Sequence, residues 1–139
     1  MTPKMTAAAL QDFLATEFAQ AAHFIVDAVT DAGVTVRRPV QQADLRPGGT
    51  VQGPTMFGLA DVAAYLAILS RIGPVALAVT TNASIDFMRK PAAGSDLLAE
   101  ARLLKLGRVL AVCDVLIFSK GVAEPVARAS LTYSIPPNP

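Results

Sequence analysis

A long apolar segment constrains this chain more than any other feature of the sequence. From Pro54 to Leu69 the residues read as one helix with apolar side chains on all sides, a pattern found inside proteins or membranes. The segment is short for a membrane span, and a central Asp61 would cost about 2.5–3.5 kcal/mol in a bilayer. Gly73 and Pro74 then end the helix. We therefore expect a helix buried at the centre of a protein domain.

Asp61 is the only charged residue between Val51 and Ser70. A carboxylate in apolar surroundings is costly unless another group pairs with it, and such groups cluster at functional sites. Asp61 is therefore a candidate catalytic residue. The alternative interpretation is a structural carboxylate that faces a water-filled interface or pairs with an arginine.

The start of the helix offers a second candidate. Pro54 suits a first helical turn, and Gly53 before it leaves its N–H open to an oxygen where the helix dipole favours negative charge. Gly53 and Asp61 are eight residues apart, about 12 Å along a helix axis. One reacting bond cannot contact both residues of the same helix. They act together only if two antiparallel helices meet across a two-fold axis, so the sequence predicts a site shared by two subunits.

Length, composition and charge indicate one domain and argue against nucleic acid or a membrane surface as a partner. The chain has 139 residues, of which 53% are hydrophobic, and a formal net charge of +1, so we expect a single domain over residues 1–139 that binds neither nucleic acid nor a membrane surface. No signal peptide pattern is visible, and the lone Cys113 lies in an apolar strand pattern, which together predict a cytoplasmic protein with a reduced, buried thiol. One histidine and one cysteine do not supply a typical zinc set, so no metal or cofactor is expected.

The remaining pattern is rich in strands. An N-terminal helix within residues 1–22 precedes a hairpin from Phe24 to Val40 and a loop from Gln41 to Gly53. After the central helix, strict alternation from Val75 onward places Thr80 and Asn82 together on one face of a long strand. Three more strands are predicted, at Leu97–Leu106, Val109–Ser119 and Val126–Ile135, before a terminal coil at 136–139. Hairpin connections favour an α+β fold in which an antiparallel sheet wraps around the central helix.

Four sequence segments, in this order, carry a family resemblance. They are Gly49-Thr50-Val51-Gln52-Gly53-Pro54, Leu59-Ala60-Asp61, Ile85-Asp86-Phe87-Met88-Arg89-Lys90-Pro91 and Leu106-Gly107-Arg108. Together they resemble the hotdog-fold acyl-CoA thioesterases of the phenylacetyl-CoA thioesterase (PaaI-like) type, over roughly residues 46–135.

The resemblance implies a hotdog fold and hydrolysis of acyl-CoA thioesters by a homodimer or a dimer of dimers. It assigns Asp61 as general base or nucleophile and the Gly53 N–H of the partner subunit as the donor that polarises the thioester carbonyl. Thr80 is the best match for a hydroxyl residue that positions water. The residues expected to contact substrate are Gln52, Asn82, Tyr65, Arg46, Arg89, Lys90 and Arg108.

The chain departs from the family at two positions. The family usually has His-Gly-Gly where this chain has Gln52-Gly53-Pro54, and often an Asn where this chain has Arg46. These departures motivate a competing hypothesis, a non-catalytic hotdog protein that binds acyl-CoA or lipid. A hotdog hydratase is a second competing hypothesis, although no histidine is present on the helix to support it. A purely structural module is the third.

Overall fold

A single antiparallel sheet curves around one long helix in the computed structural model, which describes residues 2–137. The helices are α1 (Ala7–Glu17) and α2 (Gly53–Ile72), with 3-10 turns at Ala19–Ala21 and Gln42–Asp44. The strands are β1 (Ile25–Val29), β2 (Gly33–Arg38), β3 (Val79–Phe87), β4 (Leu97–Leu106), β5 (Leu110–Ser119) and β6 (Ala127–Ser134). The strand order is β1-β2-β4-β5-β6-β3, and every neighbouring pair is antiparallel. The predicted α+β hotdog architecture is confirmed.

Helix α2 forms the core of the domain, as its composition predicts. Fourteen of its 20 residues are buried, because the concave side of the sheet covers most of its circumference. The helix ends at Gly73, whose φ of 95° is a conformation that favours glycine. A helix of this length and hydropathy could cross a membrane on those criteria alone, but here it is the central helix of a folded domain.

The N-terminal helix is shorter than predicted. The Thr6 side chain accepts a hydrogen bond from the Ala9 N–H and caps the start of α1. The backbone leaves helical geometry at Phe18, where φ is −142°, so residues 19–21 form a separate 3-10 turn. The predicted terminal coil lies at the end of β6, and its last two residues, 138 and 139, fall outside the described residues.

The hairpin predicted between Phe24 and Val40 forms as β1 and β2, and β1 is one edge of the sheet. The Thr30 hydroxyl accepts a hydrogen bond from the Gly33 N–H, and the Thr30 N–H donates to the Gly33 oxygen. A Cβ atom on Gly33 would lie 1.8 Å from the main-chain oxygen of Ala101. Glycine is therefore required for β2 to approach β4 this closely.

Strand β3 lies at the other edge of the sheet, where β6 is its one partner strand within residues 2–137. It begins at Val79 rather than at the predicted Val75, because residues after Pro74 form a turn in which the Ala78 N–H donates to the Val75 oxygen. Eight of its nine residues are exposed. An exposed edge strand is open to pairing with another chain.

Candidate active site

The Asp61 carboxylate is held by two hydroxyl groups on the helix-facing side of the sheet. Thr80 Oγ1 and Tyr133 Oη each donate a hydrogen bond to the same atom, Asp61 Oδ1, at 2.7 Å. Tyr133 Oη also lies 2.9 Å from the main-chain oxygen of Asp61. Asp61 is half-buried, whereas Thr80 is exposed at the sheet edge. The carboxylate is therefore anchored on one side and accessible on the other.

An irregularity in β3 places Thr80 beside Asp61. The pairing with β6 shifts between Thr80 and Asn82, so Thr81 is an extra residue in the strand. Thr80 pairs with Tyr133, whose side chain is buried against the helix, while Asn82 pairs with Thr132 on the alternate face. The predicted alternation holds from Asn82 to Phe87 but is wrong at Thr80, which the bulge places on the helix-facing side. The bulge separates Thr80 from Asn82, which lies on the outer face, and the predicted substrate contact of Asn82 stays a prediction.

A cluster of aromatic rings lies beneath the carboxylate. The ring of Tyr133 stacks on that of Tyr65 with centroids 6.0 Å apart, and Phe13 and Phe18 of the N-terminal region each lie 6.1 Å from Tyr65. The Tyr65 hydroxyl donates to the Ala76 main-chain oxygen. Burial raises the pKa of both tyrosines, and the charge of Asp61 raises the pKa of Tyr133 further. Both phenols therefore remain protonated donors at neutral pH.

Gly53 is the first residue of α2, and Gln52 is its N-cap. The Gln52 side chain does not cap the helix and instead donates to Thr55 Oγ1. Within residues 2–137 the Gly53 N–H has no hydrogen-bond acceptor, as expected for an amide in a first helical turn. The ring of Phe87 lies over Gly53, where an added Cβ would approach it to 3.3 Å. The Gly53 amide is therefore unpaired within the described part of the protomer, with the Phe87 ring packed beside it.

Asp44 holds this helix start in place, and sequence reasoning missed it. Its buried carboxylate forms an ion pair with Arg38 at 2.8 Å and accepts hydrogen bonds from Thr55 Oγ1 and the Gln41 N–H. Its main-chain oxygen accepts from the Gln52 N–H. The network fixes the loop directly before Gly53. A carboxylate three residues after Gln41, in a capping-box position, was the signal available in the sequence.

The predicted site residues form two groups at opposite ends of one protomer. The carboxylate end contains Asp61, Thr80, Tyr65 and Arg108, because Leu110, Ser134 and Val79 lie side by side where β5 and β3 begin. The glycine end contains Gly53, Gln52, Arg46, Arg89 and Lys90, because Phe87 at the end of β3 covers Gly53. A single protomer does not bring the two groups together.

The main cavity of the protomer lies away from both groups of site residues. It has a volume of about 500 Å³ and lies along the outer face of the sheet beside Asp86, Glu100 and Asp114. Neither Asp61 nor Gly53 lines it. Asp61 instead opens toward the exposed β3 edge.

Comparisons with known proteins agree with this architecture. A family model described as the thioesterase superfamily matches residues 48–126. A candidate thioesterase from Silicibacter sp. TM1040 is 54% identical, with a TM-score of 0.91 over 99% of this chain and 96% of that chain. The chain belongs to the thioesterase superfamily. No match was found among curated proteins.

More distant members of the thioesterase superfamily share the fold. A mutant of the phenylacetic acid degradation protein PaaI from Thermus thermophilus is 29% identical, with a TM-score of 0.71 over 84% of this chain and 96% of that one. A hypothetical thioesterase from Streptococcus pneumoniae, solved with coenzyme A, is 23% identical, with a TM-score of 0.77 over 94% and 98% of the two chains. The second likeness concerns the fold alone.

Membership of the thioesterase superfamily gives the coarse activity, that of a thioester hydrolase. The family match contains Gly53, Asp61 and Thr80, whereas Asp44 and Tyr133 lie outside it. The groups that hold Asp61 and the helix start are thus partly supplied by segments beyond the matched region.

Proposed function

We propose that this thioesterase hydrolyses acyl-CoA thioesters, with Asp61 as general base or nucleophile and the Gly53 N–H of the partner subunit as oxyanion donor. The observation that carries the proposal is the Asp61 carboxylate, fixed by two hydroxyls beside an open sheet edge on an otherwise apolar helix. Such a carboxylate has little structural purpose at that position, because no cation lies within ion-pair distance of it in the part of the chain that the structure describes.

The reaction needs one base and one donor. Asp61 takes a proton from water as the water oxygen attacks the thioester carbonyl carbon, and the carbonyl electron pair moves to oxygen, where the Gly53 N–H stabilises it. Collapse of this intermediate restores the carbonyl and breaks the C–S bond. The departing thiolate takes the proton from Asp61, which leaves free acid and CoA. Direct attack by the carboxylate would give an anhydride that water then cleaves to the same products.

The exposed β3 edge supports a homodimeric site. Leu77, Val79 and Phe87 are 77%, 56% and 52% exposed along or beside this strand, and unpaired apolar edges are typical of interaction surfaces. If two β3 strands pair antiparallel across a two-fold axis, the carboxylate end of one protomer lies beside the glycine end of its partner. The same operation would bring Asp61 and the partner's Gly53 to one substrate, in a dimer or in a dimer of dimers.

The basic residues suit the nucleotide part of coenzyme A in this arrangement. Lys90 and Arg108 are exposed, and Arg89 is exposed while its guanidinium donates to the Pro125 oxygen. Arg108 lies at the carboxylate end and the other two at the glycine end, so a two-fold axis would bring them together around one phosphate-bearing ligand. The fold neighbour solved with coenzyme A supports this ligand class. A cytoplasmic location, where acyl-CoA is made and used, completes the proposal.

The Asp61→Asn variant tests the function. We expect kcat for a panel of short, long and aromatic acyl-CoAs, followed by thiol release, to fall about 10²- to 10⁴-fold while circular dichroism remains unchanged. Asp114→Asn is the matched control, because that carboxylate is exposed on β5 and far from the site. Parent-like turnover by folded Asp61→Asn protein would refute the assignment.

Measuring acyl-CoA binding beside thiol release distinguishes an enzyme from a non-catalytic acyl-CoA carrier. The Gln52 and Arg46 departures are the reason to make the comparison, since both residues lie at the glycine end. Tight binding of acyl-CoA by the parent protein with no thiol release from any member of the panel would favour the carrier.

A further inference from the structure

Tyr133 contacts the proposed catalytic carboxylate, yet it lies 72 residues away in sequence. Its hydroxyl and that of Thr80 converge on one oxygen of Asp61, each at 2.7 Å. Among residues 2–137 no hydrogen bond reaches Oδ2, the other carboxylate oxygen. The two oxygens of Asp61 are therefore not equivalent.

We propose that Tyr133 is a positioning residue that, with Thr80, holds Asp61 Oδ1 so that Oδ2 is the oxygen that acts on water or substrate. The proposal rests on the catalytic role of Asp61 proposed above. A carboxylate turns freely about its last side-chain bond unless hydrogen bonds fix it. Two donors on one oxygen fix that rotation and aim the other oxygen at the reacting groups.

The phenol hydrogen goes to the carboxylate rather than to the main chain. Tyr133 has one hydrogen and two acceptors within reach, Oδ1 at 2.7 Å and the Asp61 main-chain oxygen at 2.9 Å. A carboxylate oxygen is a stronger acceptor than a peptide oxygen, and hydrogen bonds to carboxylates are short. The observed 2.7 Å distance agrees with donation to Oδ1.

The packing around Tyr133 makes it a rigid donor. Its side chain is only 3% exposed, and its ring stacks on Tyr65, which is itself tied to the Ala76 oxygen. Thr80 lies opposite Tyr133 in the β3–β6 pairing because of the bulge at Thr81. The pairing of β3 with β6 therefore fixes the Thr80 and Tyr133 hydroxyls side by side, next to Asp61 on the helix.

The Tyr133→Phe variant removes the hydroxyl and keeps the ring. We expect kcat to fall about 10- to 100-fold with little change in KM, because the base is present but less well aimed. A purely structural role for the hydroxyl would lower the melting temperature and leave kcat unchanged.

Thr80 provides a second variant whose folding is not at risk, since its side chain is exposed. Thr80→Val should lower kcat in the same way with little change in KM, and Thr80→Ser, which keeps the donor, should restore the parent kcat. If folded Tyr133→Phe and Thr80→Val proteins both keep the parent kcat, the proposal is overturned.

The Asp61→Asn variant, alone and combined with Tyr133→Phe, distinguishes failure of the positioning role from failure of the proposed function. If Asp61 is catalytic, Asp61→Asn is inactive, and adding Tyr133→Phe lowers the residual rate no further. If Asp61→Asn turns over substrate at the parent rate, the proposed function itself fails, and the positioning role fails with it. An inactive Asp61→Asn protein beside a parent-like Tyr133→Phe protein overturns the positioning role alone.

Discussion

The single cysteine shows how burial changes the chemistry of a side chain. Cys113 is fully buried, as its apolar strand pattern predicts, and its thiol lies 3.9 Å from the Ala64 oxygen. Burial, with a smaller contribution from the charge of Asp114, raises its pKa from 9.0 to about 12. Since the thiolate is the reactive form, the folded protein should present an inert cysteine.

We expect the native protein to resist alkylation by iodoacetamide at pH 8, whereas the urea-unfolded protein reacts. Between pH 9.0 and about 12, the folded protein keeps the Cys113 thiol proton, whereas the unfolded protein loses it. The resulting contribution to the free energy of unfolding is complete below pH 9.0 and is lost as the pH rises from 9.0 toward about 12. Urea titrations at pH 8 and pH 10 measure this loss. The Cys113→Ala protein should lose less stability between those pH values, and an equal loss would contradict the expectation.

Candidate site residues can be predicted from the sequence where they interrupt a local pattern. They cannot be predicted where their role depends on a contact with a distant element. Asp61 and Gly53 are visible in the sequence because each breaks the pattern of one helix. Tyr133 carries no such signal, since a tyrosine on a buried strand face is ordinary and its partner lies on another element. Thr80 lies beside Asp61, but its expected role in positioning water comes from the family resemblance and stays a prediction.

Among the helices and strands, the start of α2 is the one whose geometry the proposed chemistry needs most. Its position depends on the Arg38–Asp44 ion pair, whose side chains are 12% and 8% exposed. Removing one partner of a buried pair leaves an uncompensated charge. The loop that presents the Gly53 N–H should therefore loosen when Asp44 is lost.

We expect Asp44→Ala to lower the free energy of unfolding by about 3 kcal/mol or more, measured by urea titration. It should also lower kcat/KM, because the Gly53 amide loses its fixed position. Asp27→Ala is the matched control: its pair with Arg37 is 35% and 26% exposed, and such pairs contribute about 0.2–1 kcal/mol. Equal losses from the two variants would show that the Asp44 network does not support the helix start.

Element types were predictable from hydrophobic period and turn residues, while two local irregularities were not. The bulge at Thr81 lies in a run without glycine or proline, so nothing in the sequence marks it. The residues after Pro74 keep an alternating pattern, yet they form a turn because the chain must reverse from α2 into the sheet. Both deviations result from tertiary packing, which a local pattern does not contain.

The way two subunits assemble determines whether Asp61 of one subunit and Gly53 of the other can act on the same substrate. Sequence spacing already separates Gly53 from Asp61 by about 12 Å of helix, and the structure assigns the two residues to opposite ends of the β3 edge. Gly53→Pro removes the proposed donor, and Gly53→Ala, which keeps the N–H and adds a Cβ, is its control. Each of the Asp61→Asn and Gly53→Pro proteins should be inactive on its own.

A mixture of these two inactive proteins reveals how the site is built. If each site takes Asp61 from one subunit and Gly53 from the other, a mixed dimer contains one site with both changes and one site with neither. Random exchange after co-refolding makes about half of the dimers mixed, so about a quarter of the parent activity should return. If both residues acted within one subunit, no site in any dimer would be intact and the mixture would stay inactive. Size-exclusion chromatography of each sample establishes that dimers formed, which makes an inactive mixture evidence against the shared site.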